Sequence, residues 1–161
     1  MLIAQLTDLH IRERGGLAMG RVDTNAMLAN AVDALGCLSP MPDFVVVTGD
    51  LTENGLPEEY DMLRALLAPL NQPVFLLPGN HDDRENLRSA FAADGYFPTA
   101  ETFPFLQYVV DDYPVRVIAL DSHVPGAGHG ELCRARLDWL ENVPAQEPNK
   151  PPLLCLHHPP F

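Results

Sequence analysis

Basic side chains are scarce in this sequence: 10 lysines and arginines stand against 22 aspartates and glutamates, a formal net charge of -12 at pH 7 over 161 residues. A surface of that sign repels a polyphosphate backbone and an anionic bilayer, which argues against long nucleic acids and membranes as partners. Bound divalent cations would reverse the sign locally. Long apolar runs are missing as well. None approaches the roughly 20 residues that span a bilayer, and the opening MLIAQLTDLH carries neither a basic leader segment nor a cleavage-like one, so a cytoplasmic protein is expected. Cysteine is limited to Cys37, Cys133 and Cys155, widely spaced and set among apolar neighbours as in LGCL and LLCL. They are expected to be reduced core thiols rather than a disulfide or a metal-thiolate site. A GxSxG elbow and a GxxxxGK[ST] loop are both absent, leaving serine-hydrolase and P-loop chemistry without their parts. No repeat, low-complexity tract or interdomain linker interrupts the chain, and its length suits one domain that buries about two thirds of its unfolded surface.

What is present is an alternation of short apolar runs and amphipathic stretches. Leu2 to Leu6 stops at Thr7 and Asp8, and the glycine-rich RERGGLAMGRVD that follows predicts a loop. Thr24 is placed to cap a helix running to about Leu38, with Leu28, Val32 and Leu35 on its apolar stripe and Pro40 ending it. DFVVVTGD is apolar at successive positions, as expected of a strand buried on both faces. Pro57 opens a second helix with Glu58 and Glu59 near its positive end and Tyr60, Leu63, Leu66, Leu67 and Leu70 turned inward. PVFLLPGN predicts another buried strand. This order predicts a parallel sheet covered by helices. After residue 105, FLQYVV and VRVIAL separated only by DDYP predict a hairpin and a mixed portion of sheet. ELCRARLDWLENV predicts a short helix, and NKPPLLCLHHPPF a last strand with a sharp stop.

Four strand ends carry polar clusters: TDLH at 7–10, TGD at 48–50, PGNHD at 78–82 and LHH at 156–158. The ends of mainly parallel strands gather on one rim, where loops converge on a ligand. Asp8, His10, Asp50, Asn80, His81, Asp82, His157 and His158 can thereby share one pocket. Carboxylate, imidazole and amide donors suit hard or borderline divalent ions. Asp8 and His10, two apart, fall on the same face of an extended backbone. Asp50 follows a glycine that permits a close turn. Each cluster alone is also compatible with an ordinary turn, and their joint placement favours a site.

In order and spacing, TDLH, GD at 49–50, GNHD at 79–82 and HHPP at 157–160 resemble the signature of the calcineurin-like metallophosphoesterases. RVDTNA at 21–26 and GLPEEY at 55–60 further resemble the bacterial branch that holds class III cyclic nucleotide phosphodiesterases and glycerophosphodiesterases. The resemblance extends over practically all 161 residues. It implies an α/β fold: a β-sandwich flanked by helices in four layers, αββα, incomplete in this chain, with residues 1–161 forming the N-terminal part of one domain. It also implies that Asp8 and His10 bind one metal, that Asp50 bridges two, that Asn80 and His157 bind the other, and that His81 lies near the transferred phosphoryl group. His158 is expected to orient a loop, and Asp82 to accept a hydrogen bond from a neighbouring histidine. Family members usually add two ligands from a later GHxH motif. That motif is absent here, so the sequence is expected to belong to a longer chain.

The activity implied is hydrolysis of small phosphodiesters, glycerophosphodiesters or cyclic nucleotides, with two divalent ions (Mn, Fe, Zn or Co) about 3.5 to 4 Å apart sharing a hydroxide that attacks phosphorus in line. Phosphomonoester hydrolysis, or a binding module lacking an operative metal pair, are the alternatives. A homo-oligomer is compatible with the sheet left open by the missing portion. Arg12, Arg14 and the 124–130 loop with His129 are either substrate contacts or solvated loop residues, and His123 is expected to be structural.

Overall fold

The computed structural model describes residues 1–143 and 149–159. Pro160 and Phe161, the end of HHPPF, lie outside the described residues. Among the described residues, six strands and four helices follow in the order β1 (Ile3–Leu6), α1 (Thr24–Gly36), β2 (Phe44–Thr48), α2 (Pro57–Leu67), β3 (Val74–Leu77), α3 (Arg84–Ala90), β4 (Tyr108–Val110), β5 (Arg116–Ala119), α4 (Arg134–Asn142) and β6 (Pro152–Cys155), with a short 3₁₀ turn at Ala92–Asp94. The first three strands form a parallel sheet in sequence order, Leu6 lying opposite Val47 and Val47 opposite Leu76. In the second sheet β5 is central, antiparallel to β4 and parallel to β6. The DDYP hairpin is therefore present, joining β4 to β5.

The uninterrupted apolar run of β2 has the cause expected of it. Side chains alternate across a strand, and all five residues of Phe44–Thr48 are buried. Val45 and Val47 face the helices, packing with Leu28 and Val32 of α1, Tyr60, Leu63 and Leu67 of α2, and Leu87 of α3. Phe44 and Val46 face the other sheet, where Tyr108, Val110, Val117, Ala119 and Cys155 complete the sandwich interior. On the far side, Ile118, Leu120 and Val143 pack with Trp139 and Leu140 of α4. The result is four layers, helix, sheet, sheet, helix. No helix among the described residues is long and apolar enough to cross a membrane.

Local details depart from expectation in three places. Asp23, not Thr24, caps α1, its Oδ1 accepting from the Ala26 N–H at 2.9 Å. Thr24 becomes the first helical residue, and its hydroxyl is free for another task. That helix stops at Gly36 rather than Leu38. The cysteines are all free, but only Cys155 is buried. Cys37 is exposed just past the end of α1, and Cys133 is half-buried at the start of α4, so apolar neighbours in sequence did not place these two in the core. At the start of α2, the buried Glu59 accepts from the N–H groups of Asn54 (2.8 Å) and Leu56 (3.3 Å), satisfying donors left over by the helix start.

Candidate metal centre

The carboxyl ends of β1, β2 and β3 open onto one rim, and the end of β6 reaches it from the second sheet. Backbone bonds tie the first two ends together beyond the strands: Asp8 N–H to Gly49 O (3.1 Å), His10 N–H to Asp50 O (2.9 Å) and Ile11 N–H to Leu51 O (3.1 Å). The backbone there is not extended, contrary to the two-residue alternation expected for Asp8 and His10. Both are left-handed, with φ of 54° and 46°, and so is Asp50 at 48°. A side chain in that region costs on the order of 1–3 kcal/mol, which persists only where the surroundings over-determine it. Curling both loops this way turns Asp8 and His10 toward Asp50.

Two glycines make the approach feasible. A Cβ on Gly79 would lie 2.3 Å from both the backbone N and Oδ1 of Asp50, and one on Gly49 would lie 2.5 Å from Nδ1 of His157. The GD and GN motifs are thus slots into which site residues pack.

The side chains gather in two groups. Asp8, Asp50 and His157 each offer an atom within 4.8 Å of the others, and so do His10, Glu53 and His81. Asp50 joins the groups, because its Oδ2 lies 3.7 Å from Nε2 of His10 and its Oδ1 lies 3.4 Å from Nε2 of His157. The two oxygens of one buried carboxylate therefore face different histidines. His157 is oriented by its Nδ1–H, which donates to Thr48 O at 2.8 Å. Burial pushes the Asp50 carboxyl up, yet hydrogen bonds from His157 and from the His81 N–H (3.0 Å) outweigh it and hold the group at about 2. The same contact with Asp50 raises His157, against burial and with help from the Thr48 carbonyl. Asn80 sits half-buried between Gly79 and His81 in the turn that brings the His81 N–H to Asp50.

The RVDTNA stretch acts as a brace. Asp23 caps α1, the Thr24 hydroxyl donates to His10 O at 2.8 Å, and Asn25 both accepts from Arg12 N–H (3.1 Å) and donates to Arg12 O (3.0 Å). Arg12 itself is paired with Glu13 (3.1 Å) and the buried Glu59 (3.5 Å), while Arg14 and His129 are exposed.

Asp82 corrects an expectation: its carboxylate serves no histidine. Instead it accepts from the N–H groups of Leu51 (3.0 Å), Thr52 (3.2 Å) and Gly79 (2.9 Å) and from the hydroxyls of Tyr60 (3.0 Å) and Thr52 (3.2 Å). It stitches the GD loop to the GNHD loop. His158 has the loop-orienting surroundings expected of it. Its Nδ1 lies 2.8 Å from the Ser122 hydroxyl, and a Cβ on Gly130 would come within 2.5 Å of its ring. His123 is buried, its N–H bonded to Asp121 Oδ1 (2.9 Å) and its carbonyl accepting from Arg136 (3.1 Å), outside both ligand groups. Glu53 was not among the expected site residues. Its one visible signal is an acid three positions after the GD motif.

The donor set fits divalent ions. Carboxylates and imidazoles converge, and Nδ1 of His10 and Oε2 of Glu53 are buried with no hydrogen-bond partner. Asp50, with its oxygens turned to two histidines, is suited to contact two ions.

Comparison with known proteins bears on the family of the chain. The chain is 40% identical over 160 residues to the probable glycerophosphodiester phosphodiesterase GpdQ of Arcobacter nitrofigilis, covering 99% of this chain and 58% of that protein. It is 32% identical over 160 residues to the 3',5'-cyclic adenosine monophosphate phosphodiesterase CpdA of Pseudomonas aeruginosa, covering 99% and 56%. The chain thus spans a little over half the length of these relatives. Among solved structures, the purple acid phosphatase PPD1 of yellow lupin superposes with a TM-score of 0.56 at 16% identity, over 89% of this chain and 27% of that one, a likeness of fold. The family model described as calcineurin-like phosphoesterase matches residues 1–161, end to end, and with the strand-end donors gathered as they are, the chain belongs to that family.

Proposed function

We propose that this chain carries metal-holding residues of a phosphodiesterase acting on small phosphodiesters, of the glycerophosphodiester or cyclic nucleotide kind named for its relatives. The observation that carries the reading is Asp50, whose two carboxylate oxygens face His10 on one side and His157 on the other. In this reading Asp8, His10 and Asp50 hold one ion, and Asp50, Asn80 and His157 hold a second, with Mn, Fe, Zn or Co all compatible with such donors. When bound, the ions supply the positive charge that acidifies a water and neutralises phosphoryl oxygens.

The chain's own residues do the rest. Asp50 is held ionised by its neighbours, so it is available as an acceptor at any working pH. Asn80 adds an oxygen without adding negative charge, which keeps the centre attractive to an anionic phosphodiester. His81 has its Nδ1 2.7 Å from Glu53 O, a carbonyl that can only accept, so Nδ1 carries the proton and Nε2 is left for the substrate. A second proton taken up at Nε2 would then be the one donated, as a hydrogen bond or outright, to the departing oxygen. The net negative charge disfavours long nucleic acids and anionic membranes as partners.

The test is metal content by elemental analysis together with Mn²⁺-dependent hydrolysis of bis(p-nitrophenyl) phosphate by the protein. About two ions per chain and diesterase activity are expected, and His81→Ala is expected to keep its metal while losing roughly 10²–10⁴-fold in kcat. Metal-independent hydrolysis, or an Asp50→Asn variant as active as the wild type, would overturn the reading. Activity confined to p-nitrophenyl phosphate would make the protein a monoesterase.

A further inference from the structure

Glu53 lies where two histidines of the centre meet. Its Oε2 is 3.0 Å from Nδ1 of His10, with the two side chains 14% and 18% exposed. Its main-chain carbonyl accepts from Nδ1 of His81 at 2.7 Å, and its own N–H donates to Ile11 O at 3.1 Å, anchoring it to the β1 loop. The His10 and His81 rings meet edge to face with centroids 4.7 Å apart. Among the described residues, neither Oε2 of Glu53 nor Nδ1 of His10 has a hydrogen-bond partner, although both atoms are buried and face each other in an ion-pair contact of 3.0 Å. A buried carboxylate oxygen and a buried ring nitrogen without partners each carry a desolvation cost; a small rotation of either side chain that aligns the Nδ1–H with Oε2 removes it.

We infer that Glu53 is a positioning residue of the centre: its carboxylate fixes the His10 tautomer through Nδ1, while its carbonyl fixes that of His81. The inference rests on the metal-centre reading above. An imidazole held at Nδ1 by a carboxylate presents Nε2 as the ligand atom, with its orientation set and its basicity raised. Nε2 of His10 is the nitrogen facing Asp50, at 3.7 Å, so the ring's two nitrogens divide between Glu53 and the ion that Asp50 shares. Direct ligation by Glu53 would instead draw an ion to Nδ1 and leave the Nε2 to Asp50 approach without a use. One residue in the GD loop thus sets both a ligand and the histidine aimed at the substrate. This couples the loop after β2 to the loop after β1 and to the turn after β3.

The experiment has two readouts on the wild type, Glu53→Gln and Glu53→Ala. Mn²⁺ titration followed by electron paramagnetic resonance gives the affinity of each ion. Nitrogen-15 spectra of the imidazole rings in metal-free protein give the His10 tautomer. Glu53→Ala is expected to weaken one of the two Mn²⁺ ions by about 10–100-fold, with a smaller loss in the near-isosteric Glu53→Gln and the other ion unchanged. The Nδ1–H tautomer of His10 should dominate in the wild type and become mixed in Glu53→Ala. Wild-type Mn²⁺ affinities with an unchanged His10 spectrum would overturn the inference. So would complete loss of one ion in both variants, which would make Glu53 a direct ligand. A wild type that binds no Mn²⁺ would sink the metal-centre reading instead, and the metal-free spectra would still decide whether Glu53 fixes His10.

Discussion

Replacing Asp82 separates two forces that act on one buried carboxylate. Burial pushes its carboxyl up, hydrogen bonds from Gly79, Leu51, Tyr60 and Thr52 pull it down, and the balance leaves it at about 6 against an ordinary 3.8. Because the folded value is raised, the stability tied to the protonated form is fully present below 3.8 and is lost as pH rises through 6. At about 1.4 kcal/mol per pH unit, ionisation of Asp82 therefore costs the fold about 3 kcal/mol at neutral pH. In Asp82→Ala that cost disappears, but the backbone N–H groups of Leu51, Thr52 and Gly79 lose their acceptor. At about 2 kcal/mol for each orphaned buried donor, the loss is about 6 kcal/mol. The alanine variant should then be about 3 kcal/mol less stable at pH 7, lowering Tm by roughly 6–12 °C for a chain of this size. Asp82→Asn keeps an acceptor oxygen and removes the charge, so it should match the wild type near pH 4, where Asp82 is protonated, and be the more stable of the two at pH 7. Thermal melts of metal-free protein with chelator present are the assay, repeated from pH 4 to pH 7. The wild type should lose about 2 kcal/mol relative to Asp82→Asn across that range. An alanine variant melting within a degree of the wild type, or a flat wild-type against asparagine comparison, would refute the reasoning.

Two further outcomes follow from the centre. Gly79→Ala places a Cβ 2.3 Å from the backbone N and Oδ1 of Asp50, and the φ of Gly79 is not left-handed, so the cost is purely steric. A loss of about 1–3 kcal/mol in urea denaturation is expected, with impaired metal uptake; normal metal content in a crystal or by elemental analysis would count against the slot. The lowered value of Asp50, about 2 against 3.8, implies stability present above 3.8 that is lost as pH falls through 2. Acid unfolding of the metal-free protein should show that loss, on the order of 2 kcal/mol, and Asp50→Asn should lack it.

The architecture was legible because its signals are local. An apolar run without alternation, as in FVVVT, means two covered faces, and the cores on either side of β2 bear this out. Polar clusters at abrupt strand ends likewise mark the rim, and the structure brings Asp8, His10, Asp50, His81 and His157 to it. What stayed hidden depends on which loop meets which. Asp82 looked like a partner for a histidine because the adjacent residue is one; its actual donors come from residues 51, 52, 60 and 79. Thr24 has the chemistry of a cap, and only the path of the β1 loop frees it to hold His10 O instead. Glu53 gave almost no sign, since a lone acid in a loop is ordinary until His10 is folded against it. The left-handed backbone at Asp8, His10 and Asp50 was not read either: aspartate and histidine are enriched in that region yet adopt it in a small minority of cases, so residue type alone does not announce it.

Those three left-handed positions carry a consequence for engineering. Glycine would relieve the backbone at each of them, and at each it would delete a donor from the centre. A laboratory search for heat resistance alone, run on metal-starved protein with no selection for turnover, should therefore accumulate glycine at residues 8 and 10 early, whereas at residue 50 the relief is set against the stability that the ionised carboxylate contributes. The comfortable sequence and the working sequence part company at those codons, and a record of where the search goes first would trace the centre without a single measurement of catalysis.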